Sequence, residues 1–359
     1  MEVEVPGLED SDVDRLIESL DRDNKLGQLK GLSLDGQRKI MIRESGRQLL
    51  VAMIKATSGE DLQKKAVEEL RALKQPRWDL YAITAIATAL RHRLHRDELL
   101  AAAGHLNNEG AYALDLLAER RLISIQDGMY ELRHRLIAEL VVADLRTSGA
   151  NFSGYKGLAT VLAAKHKPGD RTSRTGRFLI ALINHRRIDS FFGSARVREF
   201  YQSLEDFLTD DYHFWLQRGG YELDYGKLQL ARNYLQQAHN LGGGDYRVET
   251  EWAHYLMKQA CADADADNAE DLVAEAKEIL LRQIEARGTS DHYAYHVFGS
   301  QMIGWLRRAR FTPAERTAEL KRTLEIVERG SDLHPRDRSI TELRDQLKQE
   351  YLMTAVTAS

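Results

Sequence analysis

Between Trp215 and Gly243 the sequence alternates bulky and small residues over two amphipathic segments, and this stretch constrains the fold more than any other. Trp215, Gly219, Gly226, Ala231 and Ala238 fall where one helix can pack closely against the next. One such helix-turn-helix unit cannot bury its apolar face alone, so similar units must stack on it. The chain supplies candidates on the C-terminal side. Residues 246–260 carry Trp252, Tyr255 and Leu256, and residues 272–287 provide the second helix of that pair across an acidic CADADADNAED insertion. A third pair spans 293–308 and 313–329, and residues 340–352 cap the stack. With a helix over 197–208 in front, the repeat region is read as residues 194–359.

Abundant Ala, Leu, Glu and Arg with only 5 Pro predict a mainly α chain throughout. Its net charge of -4 gives no global electrostatic case for nucleic acid or membrane binding. Cys261 is the single cysteine, which excludes an intrachain disulfide framework and a thiolate metal cluster. The acidic start lacks the features of a signal peptide, and no window holds about 18 uninterrupted apolar residues. A cytoplasmic protein that inserts into no membrane is expected.

Residues 1–6 alternate Val and Glu and read as a short strand, followed by a helix capped at Asp10 or Ser11. A strand needs a partner, and none is nearby, which hints at a sheet outside this chain. One helix is centred on Leu49, Leu50, Met53 and Ile54, and another runs over 60–73 after the Thr57-Ser58-Gly59 break. Pro76 then closes a first helical domain, 1–76. Residues 77–145 change pattern: helices over 78–94, 97–103 and 109–121 precede two strands, 122–125 and 129–132, flanking Gln126-Asp127-Gly128. Asp-Gly between apolar runs is a hairpin signal, and this order describes a winged-helix domain. DNA binding is the usual meaning of such a domain, yet its third helix carries Asp115 and Glu119 where phosphate contacts want positive charge.

Residues 146–193 read as a helical linker, with helices near 158–164 and 178–184. Its middle is basic, through Lys165, His166, Lys167, Arg171, Arg174 and Arg177. Such a run is usually a solvated connection; a phosphate-rich ligand is the alternative.

Catalytic chemistry finds little footing. No G-x-x-x-x-G-K-[ST] loop is present, so the chain is not expected to hydrolyse ATP by itself. Asp263, Asp265 and Asp267 open like a calcium loop, but Asn268 occupies the turn position and Ala274 the position of the bidentate Glu. His292 and His296 share a helical face without an identifiable third ligand, so no metal is assigned. Cys261 sits beside acidic residues, which would raise its thiol pKa and make it a poor nucleophile. No catalytic residues are assigned.

Laid on the tetratricopeptide pattern of roughly 34 residues, the positions from Trp215 to Ala238 fall in register, with Gly243 where the pattern usually has Pro. The stretch therefore resembles a tetratricopeptide (TPR) unit. Together with the VEVPGL start, Gly46-Arg47-Gln48-Leu49-Leu50, the winged-helix order and Arg133-His134-Arg135-Leu136-Ile137, the chain resembles the C-terminal regulatory half of a STAND-class P-loop NTPase. The phosphate loop and Mg-binding strand of that class are absent. The resemblance implies a helical lid-like domain, a winged helix that holds a closed state, and repeats that sense a protein or peptide ligand. It implies places near a nucleotide for Gly46, Arg47 and His134, and ATP or ADP only with a nucleotide domain upstream of this chain. A P-loop NTPase domain is then a further partner. A non-catalytic sensor of signalling or antiviral defence is the leading expectation. The alternatives are a free-standing TPR scaffold and a winged-helix transcriptional regulator with a repeat sensor.

Overall fold

The computed structural model describes residues 9–23, 26, 29–44, 62–148 and 151–358. The strand expected over 1–6, the helix around Leu49 and Ile54, the Thr57-Ser58-Gly59 break, and Gly46 and Arg47 lie outside them. The described chain is mainly α, as its composition requires. It separates into two compact units, residues 1–164 with 190–192, and residues 165–189 with 193–359. The stretch 146–193 is thus shared between the two.

In the first unit, α1 (Asp10–Arg22) places Val13, Ile17 and Leu20 on one stripe, which packs on Leu26, Leu29 and Met41. Helix α2 (Leu34–Lys39) widens into a π-turn over Ile40–Glu44, and its Arg38 clamps Asp14 with two hydrogen bonds of 2.7 Å. The next segment holds α3 (Leu62–Arg71), α4 (Arg77–Ala89), β1 (Leu94–His95), α5 (Arg96–Ala103), α6 (Asn108–Glu119), β2 (Ile123–Gln126) and β3 (Met129–Leu132). Helices α7 (Arg135–Ser148) and α8 (Phe152–Ala163) complete it.

Every residue of α4 from Leu80 to Thr88 is buried, so this helix is the centre of its unit. The sequence reading carried it to residue 94. It ends at Ala89 because Arg91 turns left-handed (φ 61°) and the His92 N–H returns to the Ala87 carbonyl at 2.8 Å. That turn frees Leu94 and His95 to pair with Tyr130 and Met129, adding a third, unforeseen strand to the hairpin. The strand order is β1-β3-β2, all antiparallel. The hairpin itself is as expected. Asp127 (φ 53°) and Gly128 (φ 72°) both take the positive φ of a type I′ turn.

The second unit contains α9 (Arg174–Leu182), the start of α10 (His185–Phe192), and α11 (Ser194–Leu208). Three helix pairs follow: α12 (Tyr212–Tyr225) with α13 (Leu228–Gly242), α14 (Tyr246–Ala262) with α15 (Ala269–Arg287), and α16 (Tyr293–Arg308) with α17 (Pro313–Leu333). Helix α18 (Arg338–Ala358) packs on the last pair. The first helices of the pairs touch one another, so α12, α14 and α16 form one layer.

Small residues set the spacing inside the first and third pairs. A Cβ on Gly219 would lie 2.7 Å from Leu235 Cγ and 3.2 Å from its backbone nitrogen, and Ala231 and Ala238 on the facing helix are fully buried. At Gly226, where α12 ends, a Cβ would fall on the Glu222 carboxylate. In the third pair Gly299 faces Val327 in the same way, at 2.6 Å. Gly219→Ala is therefore expected to destabilise the protein by about 1–2 kcal/mol, because overpacking outweighs the roughly 1 kcal/mol that Ala gains over Gly in an open helix. Urea unfolding of the variant checks the sign; a stabilised protein would contradict the close approach.

Candidate functional site

A row of polar side chains crosses the α12–α14–α16 layer and extends onto α10. Its members come from successive first helices at helical spacing, so stacking alone brings them together. His185, at the start of α10, is 8% exposed; its Nδ1 lies 3.1 Å from Gln217 Oε1 and its Nε2 lies 3.3 Å from Asp224 Oδ2. Arg186 adds a 3.4 Å contact to the same Asp224 oxygen. On α14, Glu251 accepts from Tyr293 Oη at 2.6 Å and lies 3.3 Å from His254 Nδ1.

Burial pushes the Glu251 carboxyl up, but its bonds from His254 and Tyr293 outweigh this and hold it below the usual carboxylate range. Asp224 behaves alike: burial opposes, and His185 and Arg186 win. Burial, reinforced by the Glu251 charge, pushes the Tyr293 phenol well up, and burial with His292 and Arg186 nearby lowers His296. At neutral pH the row therefore holds two anions, a protonated phenol and a neutral His296.

Above the row opens a cleft of about 240 Å³, lined among others by Gln217, Gly220, Thr250, Glu251, Asp291 and Tyr293. Gly220 matters to its floor, since a Cβ there would come within 3.0 Å of the His185 ring. Asp291 is half-buried and accepts only the Tyr293 N–H at 2.9 Å, so among the described residues it has no ion-pair partner. The cleft thus combines apolar walls with a few fixed polar groups, as small recognition sites do.

A second polar cluster surrounds Asp211. Its Oδ1 caps α12 through the His213 and Phe214 N–H groups, at 2.9 and 3.2 Å. Its Oδ2 takes the Gly169 N–H at 3.0 Å and lies 2.8 Å from His166 Nε2. His213 itself is 6% exposed, and neither ring nitrogen has a partner.

The residues singled out from the sequence fall as follows. Trp215 is buried beside Tyr234, with ring centroids 5.7 Å apart, and its indole N–H donates to the Thr209 carbonyl at 2.7 Å. Lys165, Lys167 and Arg177 are exposed and Arg174 is half-buried, whereas Arg171 turns inward to Tyr212 Oη at 2.7 Å and Asp245 at 3.5 Å. His134 is exposed and accepts the Leu136 N–H at 3.1 Å, just ahead of α7. His292 lies 3.2 Å from Asp337, and Asp265 pairs with Arg310 at 3.1 Å. The Cys261 thiol is pushed up as anticipated, but the cause is burial, with Arg308 opposing it, rather than the acidic neighbours.

Sequence reasoning missed the polar row. The available signal was a polar stripe on otherwise apolar helices, at 217 and 224, at 247, 251 and 254, and at 293 and 296.

No family model matches the chain, and no curated protein matches it. Among solved structures, the chain is similar to a Signal Transduction ATPase with Numerous Domains (STAND) protein with a tetratricopeptide repeat sensor from Pyrococcus horikoshii. The identity is 17% and the TM-score 0.35, over 99% of this chain and 55% of that one. The chain spans about half the length of that protein. Among the described residues, no helix is long and apolar enough to cross a membrane.

Proposed function

We propose that this chain is the sensing and regulatory part of a STAND-type switch in signalling or antiviral defence, and that its TPR-like pairs bind a protein or peptide segment. The single observation that carries the reading is the cleft on the first-helix layer, where groups from α10, α12, α14 and α16 converge although nothing in the local sequence requires it. The helix order ahead of it supports the rest. Three helices and a three-stranded sheet, read as a winged helix, follow a helical segment in the order that the sequence resemblance implies. The α6 helix gives DNA no welcome, since Asp115 is engaged with Arg96 at 2.7 Å and Tyr112 and Glu109 are exposed on the same element. In this reading the chain is non-catalytic, and ATP or ADP enters only through a nucleotide domain that works with it.

Affinity capture from the native host tests the reading. Wild-type chain is compared with the cleft variant Gln217→Ala/Asp291→Lys and with Glu278→Lys, an exposed position outside the cleft. A partner retained by wild type and Glu278→Lys, and reduced about tenfold by the cleft variant, is expected; tenfold corresponds to roughly 1.4 kcal/mol, within reach of a single interface contact. Equal recovery with the cleft variant would remove the cleft from recognition.

A further inference from the structure

We infer that the cleft on the first-helix layer takes the guanidinium of an arginine side chain carried by the bound segment. The inference rests on the reading that this cleft receives a protein or peptide segment, and adds the chemistry that the segment must present.

The hydroxyls that line the cleft have spent their protons inside the protein. Thr250 Oγ1 donates to the Tyr246 carbonyl at 2.7 Å and Tyr293 Oη donates to Glu251 at 2.6 Å, so both offer only lone pairs to a ligand. Asp291 Oδ1 takes the Tyr293 N–H at 2.9 Å, and among the described residues no donor reaches its Oδ2. Glu251 adds a second carboxylate to the lining. Arg247 also lines the cleft, but its charge is already engaged: the guanidinium lies 4.4 Å from the Tyr246 ring centroid and 3.4 Å from Asp245. A ligand that satisfies this space must therefore bring N–H donors and positive charge.

The placement of these acceptors narrows the cation. Thr250 and Glu251 stand on α14, whereas Asp291 and Tyr293 stand at the start of α16. An ammonium has three donors on one nitrogen. A guanidinium spreads five donors over a rigid plane, so it can meet a carboxylate oxygen and a hydroxyl on different helices at once. The cleft of about 240 Å³ has room for one such side chain. Gln217 then points to a peptide as its carrier. Its Oε1 is held by the His185 N–H at 3.2 Å, but among the described residues its Nε2 has no acceptor, which leaves an amide donor for a main-chain carbonyl beside the cation. A free polyamine has no carbonyl to offer it.

Ligand-observed NMR titration of the full chain tests the inference. The blocked peptide acetyl-Ala-Ala-Arg-Ala-Ala-amide is compared with its citrulline twin, which keeps the shape and loses the charge, with spermidine, and with an unblocked Ala pentapeptide. The Arg peptide is expected to bind with a Kd of about 1 mM, and the citrulline twin about tenfold more weakly. Asp291→Asn, melting like wild type, is expected to weaken the Arg peptide about tenfold. Raising the salt from about 0.05 to 0.5 M is expected to weaken it about threefold, a readout that needs no variant. No binding of the Arg peptide at about 20 mM, well past millimolar affinity, overturns the inference. So does equal binding of the citrulline twin, an unchanged Kd in Asp291→Asn, or tighter binding of spermidine or of the free terminus that Asp291→Asn removes. Absent arginine binding with partner capture still dependent on the cleft sinks this inference alone, whereas arginine binding with capture indifferent to the cleft sinks only the broader reading.

Discussion

Trp215→Ala is expected to lower the unfolding free energy by about 3–5 kcal/mol, the cost of truncating a large buried aromatic side chain. Trp215 is 5% exposed and sits between Phe214, with centroids 5.1 Å apart, and Tyr234. The Arg218 guanidinium lies 5.5 Å from its ring and 4.2 Å from that of Tyr234, so the substitution removes one ring of the aromatic platform on which the cation rests and leaves the nearer one. The Thr209 carbonyl also loses its indole donor. Equilibrium urea unfolding checks the value: the midpoint should fall with the slope unchanged. A midpoint within error of wild type would mean that Trp215 does not anchor the first pair.

The second large effect is on pH. The His213 pKa is lowered to about 4, mainly by burial and then by the Arg171 charge, with Asp211 opposing and Arg247 and Asp245 contributing less. The unfolded chain titrates near 6.5, so folded and unfolded forms are both neutral at this position above that pH. As pH falls from 6.5 to 4 the unfolded chain takes up a proton that the folded one refuses. Stability is therefore full above pH 6.5 and falls through this window, by about 3 kcal/mol in total, at roughly 1.4 kcal/mol per pKa unit. Asp211, Glu222 and Asp224 have lowered pKa values and lose their contributions below the ordinary carboxylate range, so their effect adds only at the acid end. His213→Leu should flatten the slope between pH 6.5 and 4 and cost nothing at pH 7, since it also removes two buried nitrogens that lack partners. An unchanged slope in the variant would assign the acid sensitivity elsewhere.

The helix pairs were legible from the sequence because their signals are local. Helix α16 was read with both ends as observed, and α17 from its first residue, since Pro313 follows the capping Thr312 and Glu315 closes the capping box. The hairpin was legible through Asp127-Gly128 for the same reason. Strand β1 was not, because two residues carry no alternation and the apolar Ala89-Leu90 invited the helix onward until Arg91 turned it. Helix α10 was missed since His185-Arg186-Arg187 reads as more of the basic run; its cap, Asn184 accepting the Arg187 N–H, only becomes visible in place. The polar row was the least legible. Glu251 meets Tyr293 across 42 positions and His185 meets Asp224 across 39, and only the stacking of pairs makes these neighbours. Arg171 shows the converse, a charge that looked solvated until Asp245, 74 residues on, claimed it.

The saturation of that row by the protein's own groups has a thermodynamic consequence. Asp224 and Glu251 are ionised and already held by His185, Arg186, His254 and Tyr293, so this floor is preorganised. A ligand seated on it freezes few of the protein's rotamers, and the ordering cost falls on the ligand. Stiffening the ligand, by cyclisation for instance, should then raise affinity more than any rigidifying substitution in the helices, and association should proceed without a slow rearrangement of the cleft.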